Sequence, residues 1–101
     1  MIGFRELPIA DYAAFVDDGT QLIDVRQPSE VADGTLPGAV NIPLDRLVER
    51  VRELDPQRRT IVFCRSGGRS AQAAQFLASA GFDDVINLAG GMLAFPQGVA
   101  R

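Results

Sequence analysis

Thr60-Ile61-Val62-Phe63-Cys64-Arg65-Ser66-Gly67-Gly68-Arg69-Ser70 changes character twice within one short stretch. Thr60 to Phe63 is β-branched and aromatic, the composition of a buried strand. Arg65 to Gly68 is polar and glycine-rich, the composition of a tight loop. From Ser70 to Ala80 small and apolar residues recur at helical spacing, with Ala73, Ala74, Leu77 and Ala80 on one face. Gly81 follows as a helix-ending residue. The segment therefore reads strand, loop, helix, with the single Cys of the chain at the strand's carboxyl end.

The flanking sequence repeats this alternation. Gln21 to Val25 is a second short apolar run of strand length. Gln27-Pro28-Ser29 breaks it, and Ser29 is placed to cap a helical turn through Glu30 to Ala32. Asp33-Gly34 and Pro37-Gly38 are turn signals. Ala39 to Ile42 is a third strand candidate. A helix from Asp45 to Leu54 has Leu44, Leu47, Val48, Val51 and Leu54 as its apolar stripe. Val85 to Leu88 is the last strand, Gly90-Gly91 a turn, and Met92 to Phe95 a short helical end before Pro96. Upstream, Pro8 is placed to open a helix with Ile9, Tyr12, Ala13 and Val16 on one face. Strands joined by crossover helices predict an α/β fold, a central parallel sheet with helices on both faces. In such sheets ligands bind at the carboxyl ends of strands.

Composition narrows the chemistry. With 101 residues and 47% hydrophobic content, one domain over 1–101 is expected, with a core large enough to need no disulfide or metal. There is no His, so Ser-His-Asp, Cys-His and His-metal chemistry are excluded within the chain. There is no Lys, so Schiff-base chemistry and a P-loop lysine are excluded as well. No carboxylate cluster suggests a metal, and no cofactor is expected. The net charge of −3 argues against nucleic-acid binding, which needs a basic stripe. No apolar run approaches a membrane span, and nothing resembles a signal peptide. A lone Cys fits a reducing compartment, so a cytoplasmic location is expected.

The loop itself carries a chemical logic. Gly67 and Gly68 permit positive φ, so successive N–H groups can turn inward as an anion-binding nest. The following helix adds unpaired N–H groups and the positive end of its dipole. Arg65 and Arg69 add charges that persist at every relevant pH. All of these favour the thiolate of Cys64. A lone Cys is most often an inert small hydrophobe. That alternative leaves the two glycines and two arginines beside Cys64 as coincidence. Ser66 and Ser70 are candidates to donate to a bound anion, and Ser70 is equally a candidate helix cap. Asp24 and Arg26 can border the site, although an Arg26–Glu30 pair that fixes local structure is the simpler expectation.

Cys64-Arg65-Ser66-Gly67-Gly68-Arg69-Ser70 resembles the active-site loop of the rhodanese family, C-R-S-G-x-R-S. A second stretch is similar to a further family signature: Leu22-Ile23-Asp24-Val25-Arg26, then Glu30, Gly34, Pro37-Gly38-Ala39 and Asn41-Ile42-Pro43-Leu44. Leu88-Ala89-Gly90-Gly91-Met92 resembles the family's C-terminal Gly-Gly turn. The resemblance runs from about Leu7 to Gly98. It implies a rhodanese-like domain and a sulfurtransferase. Cys64 would take a sulfane sulfur from a small anionic donor such as thiosulfate and hold it as a persulfide. A thiol or cyanide would then accept it, and a protein donor or acceptor would use the same loop. Substrate binding would fall to Arg65, Ser66, Gly67, Gly68, Arg69 and Ser70, with backbone N–H groups around the outer sulfur and the two arginines attracting the donor. Departures from the family pattern are Thr35 where His or Arg is common, Val31 in place of an aromatic, and Phe95 in place of Trp. A Cys-dependent phosphatase or arsenate reductase is the alternative enzyme. Tyrosine phosphatases place five residues between Cys and Arg, and here only four separate Cys64 from Arg69. A binding module without turnover is the third class.

Overall fold

The computed structural model describes residues 3–95. Its strands are β1 (Arg5–Pro8), β2 (Gln21–Asp24), β3 (Val40–Asn41), β4 (Thr60–Phe63) and β5 (Val85–Ala89). They form one parallel sheet in the order β1-β5-β4-β2-β3. The α-helices are α1 (Pro28–Val31), α2 (Leu44–Arg50) and α3 (Gly68–Ser79). Three 3₁₀ helices cover Ile9–Phe15, Val51–Glu53 and Met92–Ala94. The expected α/β class with a central parallel sheet is the observed one. No described helix is long and apolar enough to cross a membrane.

Every residue of β2 and β4 is buried, as strands covered on both faces require. Their side chains alternate between two cores. Ile23, Val25 and Val62 pack with Leu47 of α2 and Ala73, Ala74 and Leu77 of α3. Leu22, Ile61, Phe63, Ile86 and Leu88 pack on the opposite face with Ile9, Tyr12, Phe15 and Met92 from the 3₁₀ segments. Each large side chain sealed in these layers contributes roughly 1.5–3 kcal/mol. The alternation also aims the cysteine. Cys64 shares the parity of Val62, so it joins the α3 layer rather than the Phe63 layer. The alanines of α3 let that helix lie close to the sheet, which brings its first turn over the end of β4.

Several elements differ from the sequence-based expectation. β1 was not foreseen. It is a four-residue edge strand, mostly exposed and closed by Pro8, and it has no apolar alternation to signal it. The first helix is 3₁₀, not α. At three residues per turn its inward side chains are Ile9, Tyr12 and Phe15, while Ala13 and Val16 face solvent. Val48 does not belong to the stripe of α2 and is 68% exposed. At 100° per residue it lies about 70° from the mean direction of Leu44, Leu47 and Val51. The helix expected over Asp45–Leu54 is α only from Leu44 to Arg50 and 3₁₀ from Val51 to Glu53. Ser29 is not a cap. Gln27 is the N-cap of α1 and Pro28 opens the helix, where its fixed φ is already helical.

Candidate active site

Cys64 sits one residue beyond β4 and is buried. Its Sγ accepts the Gly67 N–H at 3.0 Å and the Ser70 hydroxyl at 3.4 Å. Burial alone pushes the thiol pKa up. The Ser70 hydroxyl and the N–H groups of Ser70, Gly67 and Ser66 outweigh it, so the pKa falls below its ordinary value. Short-range donors are therefore the main support of the thiolate.

The chain reaches this geometry through one left-handed residue. Gly67 has φ of +105° and turns its N–H back toward Sγ. Gly68 keeps an ordinary φ, begins α3, and would meet nothing with an added Cβ. Only one of the two glycines is conformationally required. Ser70 lies in the first turn of α3. It makes no cap hydrogen bond to the backbone N–H groups, and its hydroxyl points at the sulfur and at Gly67 O.

A second turn clamps the loop from outside. Met92 N donates to Cys64 O at 2.9 Å, and Leu93 N donates to Arg65 O at 3.0 Å. The 3₁₀ helix at Met92–Ala94 thus spends its free N–H groups on the two carbonyls that open the cysteine loop. Gly91 makes this approach possible. A Cβ there would lie 2.4 Å from Arg65 O and 2.5 Å from Cys64 O. Asn87, buried in β5, donates to Glu6 Oε2 at 2.8 Å and reaches Gly67 O at 3.4 Å. Neither Gly91 nor Asn87 was singled out as a site residue from the sequence. The Gly-Gly pair was legible as a turn, but its contact with Cys64 was not.

The arginines part company. Arg65 is exposed. It lines a cavity of about 390 Å³ with Arg26, Glu30, Asp33, Met92 and Leu93. Arg69 is half-buried, and its two terminal nitrogens meet the Glu30 carboxylate at 2.6 and 2.8 Å. That pairing, with the Gln27 N–H on the same carboxylate, holds the Glu30 pKa down to about 2. The expected Arg26–Glu30 side-chain pair does not form. Arg26 instead grips Asp24, with Nη2–Oδ2 at 2.7 Å and both side chains almost fully covered. Thr35 donates to the same Oδ2 at 2.7 Å, and Gly34 O takes a further Arg26 N–H at 2.8 Å. Thr35 is therefore a brace for Asp24. Phe95 packs edge-on against Tyr12. Among the described residues no cluster of metal-ligating side chains occurs.

Residues 9–97 match the family model described as Rhodanese-like domain. A protein named Sulfurtransferase from Allochromatium vinosum is 39% identical over 76 residues, covering 75% of this chain and 71% of that protein. The thiosulfate sulfurtransferase GlpE of Pseudomonas syringae is 31% identical over 91 residues, covering 90% of this chain and 86% of the relative. The crystal structure of SSP1007 from Staphylococcus saprophyticus superimposes with a TM-score of 0.84 at 27% identity, covering 97% of this chain and 100% of the other. In longer relatives the match is a part only: the chain spans 27% of rhodanese-like/PpiC domain-containing protein 12 of Arabidopsis thaliana, at 42% identity over 77% of this chain.

Proposed function

The chain belongs to the rhodanese-like family, and on that premise we propose that it moves a sulfane sulfur through a persulfide on Cys64. The donor is a small anionic sulfur compound such as thiosulfate, and the acceptor is cyanide or a thiol. In the first step the Cys64 thiolate attacks the outer sulfur of thiosulfate. A sulfur–sulfur bond forms at Cys64, the bond to the sulfonate sulfur breaks, and sulfite leaves with the electron pair. In the second step the acceptor attacks the outer sulfur. Cyanide becomes thiocyanate, and Cys64 returns as thiolate. No general base is invoked, because the donors around Sγ favour the thiolate.

One observation supports this reading above the others. The Cys64 sulfur accepts the Gly67 N–H and the Ser70 hydroxyl, and among the described residues no carboxylate is hydrogen-bonded to it. Such a cradle stabilises negative charge on sulfur both before and after transfer. Ser66, Gly67 and Ser70 supply the N–H groups, and Gly68 starts the helix. Arg65 at the cavity rim draws in the donor. The family includes a relative named for thiosulfate sulfur transfer, which agrees with the donor proposed.

The test is the intact mass of reduced protein before and after thiosulfate, with Cys64→Ser in parallel. The expected result is a gain of one sulfur atom on the wild type only, reversed by cyanide. An unmodified Cys64 that still reacts with alkylating agents overturns the reading, and turnover of aryl phosphates by that protein would replace it with phosphatase chemistry.

A further inference from the structure

Three guanidinium groups surround the mouth of the loop: Arg26, Arg65 and Arg69. Three carboxylates accompany them, those of Asp24, Glu30 and Asp33. An anion-steering site would leave its cations open. Here Arg26 is taken by Asp24 and Arg69 by Glu30, which leaves Arg65 as the exposed guanidinium at the rim. The second pair is a tertiary device. Glu30 comes from α1 and Arg69 from α3, 39 positions apart in the chain. Both terminal nitrogens of Arg69 face the two carboxylate oxygens, so the planar fork is occupied end-on. The Gln27 N–H holds Glu30 Oε1 from the other side at 3.0 Å. The carboxylate stays charged throughout the neutral range. Beside these charges the rim is apolar, with Met92 half-buried and Leu93 67% exposed.

Resting on the sulfur-transfer reading, we propose that Glu30 is a specificity-determining residue, which cancels the charge of Arg69 and so tilts this site away from the thiosulfate dianion toward a persulfide carried on an organic thiol. Such a donor brings less negative charge and an apolar body for the Met92–Leu93 rim. The step balances. The Cys64 thiolate attacks the terminal sulfur of R–S–SH, and the bond from that sulfur to R–S breaks. R–S⁻ leaves with the electron pair, and the proton stays on the transferred sulfur. Glu30 acts through Arg69 and touches no reacting atom.

The test is the second-order rate constant for persulfide formation on Cys64, read by quenched intact mass. Two donors are compared, thiosulfate and the persulfide of 2-mercaptoethanol. Glu30→Gln keeps an oxygen for the Gln27 N–H and removes the charge. It is expected to raise the thiosulfate constant about tenfold. The organic persulfide should change by less than about twofold. In an Arg69→Gln background the same Glu30 substitution should have no effect on either donor. Salt gives a second check: with Arg65 open at the rim, the wild-type thiosulfate constant should fall less steeply with ionic strength than that of Glu30→Gln. A thiosulfate constant that drops or stays level in Glu30→Gln overturns the proposal. So does an equal change for both donors, or a wild-type salt dependence as steep as that of Glu30→Gln. No persulfide from either donor on wild-type protein is a different failure, that of the sulfur-transfer reading itself.

Discussion

β2 and β4 lie side by side, with Asp24 in register with Phe63, and both end at the same edge of the sheet. Beyond β2 the chain closes charge upon charge. The Asp24 carboxylate takes Arg26 through Nε and Nη2, the Arg26 backbone N–H and the Thr35 hydroxyl. Nothing is left over for a ligand. Beyond β4 the chain does the reverse. Cys64 has neutral donors, the Gly67 N–H and the Ser70 hydroxyl, and among the described residues the Arg69 charge acts on it only through space, with no hydrogen bond to the sulfur. The first arrangement spends its electrostatics on holding a loop. The second stabilises a negative sulfur without neutralising it, which leaves the sulfur reactive. Neighbouring strand ends can thus divide the work, one fixing the frame and the other keeping charge available.

Substitutions can sharpen or break that contrast. Cys64→Ser should cost the most activity, at least roughly a thousandfold in sulfur transfer. Its urea midpoint should correspond to a stability change within about 1 kcal/mol. A large stability loss would make Cys64 part of the frame. Gly91→Ala comes next, because its Cβ collides with the Cys64 and Arg65 carbonyls at a φ of +58°. It should destabilise by about 2–4 kcal/mol and lower transfer about a hundredfold, measured by chemical denaturation and single-turnover rates. Asp24→Asn should act on stability first. It leaves Arg26 buried with no carboxylate, at a cost of about 3 kcal/mol. The pH midpoint of Cys64 alkylation should stay near wild type, and a marked shift would show that the two strand ends are not separate devices.

Ser70→Ala should have the smallest effect. Its hydroxyl favours the charged sulfur, so its removal raises the thiol pKa. Alkylation by iodoacetamide should rise with pH through a midpoint below the ordinary thiol value in wild type, and the midpoint should move up in the variant. The sign follows from folding lowering the thiol pKa. The associated stability is present above the unfolded pKa and is lost as pH falls through the folded one. An unchanged midpoint would assign the stabilisation to the backbone donors alone.

The amino-acid order by itself determined the elements whose cause is local. The runs at β2, β4 and β5 are apolar enough to need burial, and the alanine face of α3 announces its packing. Cys64, Gly67 and the first turn of α3 are contiguous, so their convergence follows from a strand, a left-handed glycine and a helix in succession. What needed the tertiary structure were relations between distant segments. β1 is a strand only because β5 offers an edge to pair with. Glu30 reaches Arg69 rather than Arg26, because α3 carries Arg69 toward α1 while Asp24 already occupies Arg26. Gly91 reads as a turn former until the end of β5 is laid against the cysteine loop. Backbone propensity and hydrophobic period act over a few residues. Ion-pair choice and van der Waals collision depend on which segments the sheet order brings within a few ångströms of each other.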